Sequence, residues 1–317
     1  MKIILNLSFA VLAFCSIGCK KEVSDNPTPP IITNPPAPVV SKANLVFKFK
    51  FDSTQVRLNN IGQPSTIPAG NAAQSPSFNS MSAHYLELAP SAFTALGTGQ
   101  ILYKAEQTDV AGETAIEFEK AKFAGNNEVF YSMPIKDIKP GDYEWLRLSL
   151  AYQNYDIKFR VDTTIRGFAI NQDLTGTVAS FIGFNTYIKS HTIKTQALTV
   201  NDNRKQGYWA VETAVSAYGM TDTLTASGQA PDGATTVVNP LFASSPIPAG
   251  SCVVTAAFAP GKLTITGTEA NDIVIEVSLS TNKSFEWQEI IQNGKWDPVK
   301  GEPVVDMGIR GMIPTIK

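Results

Sequence analysis

Leu45-Val46-Phe47-Lys48-Phe49-Lys50-Phe51 alternates without a break: Leu45, Phe47, Phe49 and Phe51 fall on one side of an extended chain, Lys48 and Lys50 on the other. Successive strand side chains point to opposite faces, so the pattern predicts a strand with one face in a core and one in water. The alternation returns in residues 155–161, where Tyr155, Ile157, Phe159 and Val161 oppose Asp156, Lys158 and Arg160, and in 272–279 through Ile273, Ile275, Val277 and Leu279. Residues 144–150 set Leu146, Leu148 and Leu150 against Trp145, Arg147 and Ser149, and 115–123 set Ile116 and Phe118 against Glu117 and Glu119. Further strands are predicted over 178–184, 186–193, 208–215, 252–258 and 262–266.

No stretch sustains a 3.6-residue apolar period; residues 90–96 are the best candidate for a short helix. Many short strands punctuated by Gly, Pro, Asn and Asp predict an all-β fold, an antiparallel β-sandwich with little helix. The body, residues 44–317, is long enough for one large sandwich or two abutting ones divided near 163–173. Residues 59–83 and 225–248 read as long loops, the first choice for a binding edge. Asn293-Gly294 reads as a two-residue type I′ hairpin turn placing Ile291 opposite Trp296.

The N-terminus is an address. Lys2 precedes an apolar run from Ile3, and the small residues Ser16 and Gly18 lead to Cys19, the plan of a signal peptide over residues 1–18. The run is too short to span a bilayer and no stop-transfer segment follows. Ser16-Ile17-Gly18-Cys19 resembles the lipobox of bacterial lipoproteins, with Ser16 where Leu is more usual. The resemblance implies cleavage before Cys19 and acylation of that residue, hence a bacterial membrane-anchored lipoprotein on the periplasmic face or the cell surface. Lys20-Lys21-Glu22 resembles a short charged signal that directs lipoproteins outward. Pro27, Pro29, Pro30, Pro35, Pro36 and Pro38 then make residues 19–43 a lipidated, Pro-rich tether of roughly 75 Å when fully extended.

A formal net charge of −2 and 17% charged residues exclude a polyanion partner such as nucleic acid. Of three cysteines, Cys15 leaves with the signal and Cys19 is acylated, so Cys252 has no partner and reads as a buried, inert thiol. His84 and His191, the only histidines, each sit alone in a predicted strand, and no zincin, Cys-x-x-Cys, nucleophile-elbow or phosphate-loop pattern occurs. No cofactor is expected, calcium excepted: Asn293, Asp297 and Asp306, with Glu289 and Glu302 nearby, cluster oxygens of the kind hard cations take.

Aromatics near predicted strand ends are the remaining signal. Trp145, Tyr152, Tyr155, Trp209 and Trp296, beside amides and Arg147, are the candidate binding residues, since a flat ring and hydrogen-bonding neighbours suit a sugar; core filling is the competing reading. The expectation is a non-catalytic envelope binding module for a glycan or a protein partner. A carboxylate-dependent glycan hydrolase and a structural subunit of an envelope assembly are the alternatives.

Overall fold

The alternation at the start of the body carries directly into packing. In a computed structural model describing residues 41–165, 167–217, 219–230 and 251–317, Leu45, Phe47 and Phe49 are fully buried while Lys48 and Lys50 are half-exposed. The strands, in chain order, are β1 (Asn44–Asp52), β2 (Asn71–Gln74), β3 (Ser77–Ala89), β4 (Gln100–Lys104), β5 (Gln107–Thr108), β6 (Ala115–Glu117), β7 (Phe123–Ala124), β8 (Val129–Pro134), β9 (Gly141–Tyr143), β10 (Trp145–Ile165) and β11 (Phe168–Phe181). They continue as β12 (Asn185–Thr192), β13 (Ala197–Lys205), β14 (Tyr208–Ala217), β15 (Met220–Gln229), β16 (Cys252–Ala257), β17 (Leu263–Ile265), β18 (Ile273–Ser280), β19 (Phe285–Gln288), β20 (Val304–Met307) and β21 (Met312–Ile316). Among the described residues only single 3₁₀ turns interrupt them. The fold is all-β, as the alternation predicts.

β10, 21 residues long, is the spine of the larger sheet. One edge pairs with β3 from Trp145 to Asp156; the other pairs first with β16, up to Leu150, then with β11 from Tyr152 to Ile165. This sheet runs β15-β14-β11-β10-β3-β4, and a second runs β21-β18-β1-β8. The Ala259–Thr315 bridge joins them, so they curl around one core in which Phe47, Phe49 and Val277 meet Leu86, Leu148 and Tyr155. The described body forms one compact unit. Among the described residues no helix is long and apolar enough to cross a membrane.

Several local expectations are corrected. β1 and β18 pair in parallel, Leu45 with Ile273 through Asp52 with Ser280, and β6 and β12 also run parallel, so the sheets are not purely antiparallel. A parallel pair needs a crossover, and for β1 and β18 most of the body supplies it. Residues 59–83 are not one loop: β2 and the first half of β3 lie there, built mostly from Asn, Ala, Ser and Gln, which signal strands weakly, with only Phe78 and Met81 as large apolar residues. Residues 90–96 form turns, not a helix. The strand expected over 115–123 ends at Glu117, where Phe118–Lys120 turns as a 3₁₀ helix.

Asn293-Gly294 closes no hairpin: β19 pairs with β2 and β20 instead, and the Trp296 carbonyl accepts from the Arg160 N–H. Residues 163–165 and 168–173 hold the far end of the β10–β11 ladder. Ser41 and Ala43, counted with the tether, pack against the body, where the Ser41 hydroxyl donates to the Glu269 carbonyl. The signal peptide, Cys19, residues 20–40 and most of the predicted loop after β15 lie outside the described residues.

Candidate functional site

The face of β10 that carries Trp145, Arg147 and Ser149 reads as solvent-facing from alternation alone, yet Arg147 and Ser149 are fully buried. Residues 90–99, between β3 and β4, fold over this face and seal it. Glu87 on β3 stands directly opposite Arg147 on β10, and the two ions lie 3.6 Å apart with no solvent exposure. Such a pair survives burial only when its remaining hydrogen-bonding capacity is met. Here the loop and β3 meet it on the Glu87 side, where the N–H groups of Gly97 and Gly99 donate to the carboxylate at 3.1 and 2.5 Å and Tyr85 Oη donates at 2.7 Å, while Arg147 Nε is left without a partner. Arg147 in turn donates to the Ala95 carbonyl at 3.2 Å. Burial holds the Arg147 guanidinium below its ordinary range and pushes the Tyr85 hydroxyl up.

Two further contacts fix the loop. Leu96 is fully buried between Tyr85 and Val253. A side chain at Gly99 would put its Cβ 2.3 Å from the Leu88 carbonyl, so only glycine fits. At the crest of this clamped loop Phe93 is 92% exposed. A buried ion pair thus presents a bare phenyl ring.

Beside the crest runs an open groove of about 570 Å³, lined among others by Pro90, Gln100, Ile101, Lys139, Asp142 and Tyr143. Part of its polar lining is already engaged. Gln100 Oε1 accepts from the Lys139 N–H at 2.8 Å, and Tyr143 Oη lies 2.7 Å from both that oxygen and the Lys139 carbonyl. Asp142 holds Lys262 and Thr264, which keep its carboxyl below the usual range. What the groove leaves open is Ile101, 45% exposed, together with the Lys139 ammonium and the Gln100 side-chain nitrogen, which make no hydrogen bond or ion pair among the described residues.

The five aromatics singled out from sequence do not form a platform. Trp145 is half-buried on the strand face of Arg147, two residues from the clamp. Trp209, half-buried on β14, packs over Gly228, where a Cβ would come within 2.9 Å of the indole. Trp296 is half-buried against Phe159 and Phe285, its indole donating to the Glu302 carbonyl. Tyr152 and Tyr155 are core residues, 4% and 0% exposed, packed on Phe118 and Phe181 and on Phe78 respectively. Burial pushes the Tyr152 hydroxyl up to about 12. A ligand on the surface reaches neither tyrosine.

Asn293 and Asp297 do meet, but as donor and acceptor: the Asn293 amide nitrogen lies 2.6 Å from Asp297 Oδ2. Glu302 gives its oxygens to the N–H groups of Ile290, Ile291 and Asp297, and Asp306 pairs with Arg310. Several of the oxygens proposed to ligate calcium thus also accept from internal donors. Among the described residues no three His, Cys, Asp or Glu side chains group as a metal site.

His84 and His191 are both buried, and burial draws each down to about 4, assisted at His84 by Lys104. His191, ringed by Phe118, Phe181 and Tyr208, has no hydrogen-bond partner on either nitrogen. The Cys252 thiol is pushed up to about 12 by burial, which leaves it unreactive.

Sequence reasoning missed Glu87 and Phe93, the two residues that make the exposed site. The available signal was Glu87 alternating within Tyr85-Leu86-Glu87-Leu88, followed by the glycine-rich Leu96-Gly97-Thr98-Gly99. Comparison with protein-family models, curated proteins and solved structures finds no match to this chain.

Proposed function

We propose that this chain is a lipid-anchored cell-envelope protein that recognises a protein partner through the Phe93 face and performs no chemistry on it. Phe93 carries the reading, because it is a large ring held almost wholly in water by a loop that cannot relax to cover it. A clamped loop loses little freedom on docking, and rigid aromatic side chains are the usual anchors of protein interfaces. Acylation of Cys19 and the Pro-rich tether would hold that face away from the membrane.

The glycan form of the expectation is less favoured by the groove, since Gln100 Oε1, Tyr143 Oη and Asp142 are internally paired and leave a sugar few unspent hydrogen-bonding edges. A hydrolase needs a carboxylic acid raised toward neutrality. Glu87, Glu286 and Glu302 are engaged within the fold by guanidinium or backbone N–H groups. At Glu212 burial raises the carboxyl, but the Thr195 hydroxyl and the N–H groups of residues 194–196 outweigh it and hold it near 2.

The test is photocrosslinking in the source cell. A crosslinker at position 93 of the full-length protein should give one discrete adduct, absent when it is moved to Lys205 on the exposed part of β13. A defined glycan ligand with no adduct at position 93 would end the proposal. Cys19→Ala should move the protein from the membrane to the soluble fraction; a membrane-bound variant would end the anchoring part.

A further inference from the structure

β3 leaves β10 at Asp156, so the β10 edge beyond it must be closed by other groups. The Gln74 side-chain amide meets both backbone groups of Lys158, at 2.7 and 2.8 Å, and the Arg160 N–H donates to the Trp296 carbonyl at 2.7 Å. Around this edge lies a partly open cavity of about 220 Å³. Phe159 and Trp287 line it, both buried, and Lys158, Asp173 and Lys295 line it from the solvent side.

Two features of this slot are unspent. Trp287 is 1% exposed, yet its indole N–H has no hydrogen-bond partner. Buried donors almost always have one, and the neighbouring Trp296 indole does. The charge at the mouth is also unbalanced. Asp173, held ionised by Lys295 and Arg160, answers two cations at 2.7 and 3.1 Å, while Lys158 makes no ion pair among the described residues. Lys158, Arg160 and Lys295 thus face two carboxylates, Asp173 and Glu289, whose Oε1 accepts from the Gly294 N–H at the slot, and the surplus is positive by one charge.

We infer that this slot binds a small organic anion, a flat apolar body lodged between Phe159 and Trp287 with a carboxylate at the mouth beside Lys158 and Lys295. The volume equals that of about seven liquid waters, room for one ring and a short arm but not for an oligosaccharide or a peptide. The inference is independent of the partner-binding reading, because neither Phe93 nor its groove takes part.

The probe is phenylacetate, titrated into the full-length, ¹⁵N-labelled protein while the Trp287 indole resonance, assigned with Trp287→Phe, is followed by NMR. The expected result is a saturable shift of that resonance, with affinity falling about two- to fivefold in Lys158→Ala or Lys295→Ala and falling again at high salt. Phenethylamine, the same ring on a cationic arm, should give no saturable shift. The Lys158 side chain makes no hydrogen bond or ion pair among the described residues, so its variant reads binding and not stability. The inference is overturned if phenylacetate leaves the indole unmoved up to its solubility limit, if phenethylamine binds as well, or if Lys158→Ala binds with unchanged affinity.

Discussion

Residues 90–99 and residues 289–297 are two loops pinned from beneath by a buried glutamate, and they present opposite things to solvent. Glu87 holds the N–H groups of Gly97 and Gly99; Glu302 holds those of Ile290, Ile291 and Asp297. Under the first loop the glutamate also faces Arg147, and the crest throws Phe93 out into water. Under the second the backbone is the glutamate's main partner, and Trp296 turns inward onto Phe159 and Phe285. Pinning alone therefore marks rigidity, which both loops have. The direction of the aromatic separates a recognition surface from a piece of core.

Breaking the first pin should have the largest effect. Glu87→Ala leaves the Arg147 charge buried and unpaired, which costs about 3–5 kcal/mol and should lower the denaturant midpoint with the slope unchanged. Replacing both partners by Met should cost less than the single change, because no orphan charge remains. Next comes the inward aromatic. Trp296→Ala opens a hole against Phe159 and Phe285 and should cost about 3 kcal/mol in the same assay.

Acid distinguishes core from loops at a similar or slightly smaller scale. His191 titrates near 4 in the folded protein and near 6.5 when unfolded, so its contribution is fully present above pH 6.5 and is lost as pH falls toward 4. Up to about 3 kcal/mol per such histidine is at stake. His191→Leu, which removes two unpartnered ring nitrogens, should flatten that part of the stability profile while His84 retains its share.

Glu302→Gln should come next, at about 1.5–2 kcal/mol, seen as faster amide exchange at Ile290, Ile291 and Asp297 with protection at Gly97 and Gly99 unchanged. Phe93→Ala should move stability by less than about 0.5 kcal/mol, since an exposed ring contributes little to the fold.

The fold class was legible because β1, β10 and β18 are each buried on one face over part of their length, and a half-buried strand writes its period of two into the chain. The first half of β3 was not, because it is rich in polar residues, and its second half departs from alternation because loop 90–99 covers Tyr85 and Glu87 while Phe184 and Gln107 cover His84, so polar residues occupy core positions. The same cover hides the clamp, since Glu87 and Arg147 look like ordinary solvent-face charges until a loop 52 residues upstream of Arg147 lies over them. Asn293-Gly294 carries a strong local turn signal, but Glu302 draws in the surrounding N–H groups and β20 takes the strand position a hairpin needs. Pairing between β1 and β18, some 228 residues apart, leaves no local trace. Among the aromatics, the same residue types serve core and surface, and only the paths of the covering loops decide which is which.

Partner capture by Phe93 in place of Trp296 is the point on which the account rests, and one paired crosslinking measurement addresses it. Full-length protein with a photocrosslinker at position 93 and a second protein with the crosslinker at position 295, on the other pinned loop, are irradiated in the source cell. The account predicts a discrete protein adduct from position 93, lost when unlabelled wild-type protein competes and retained when Phe93→Asp protein does, and none from position 295. An adduct from position 295 alone, or equal competition by wild type and Phe93→Asp, would contradict it.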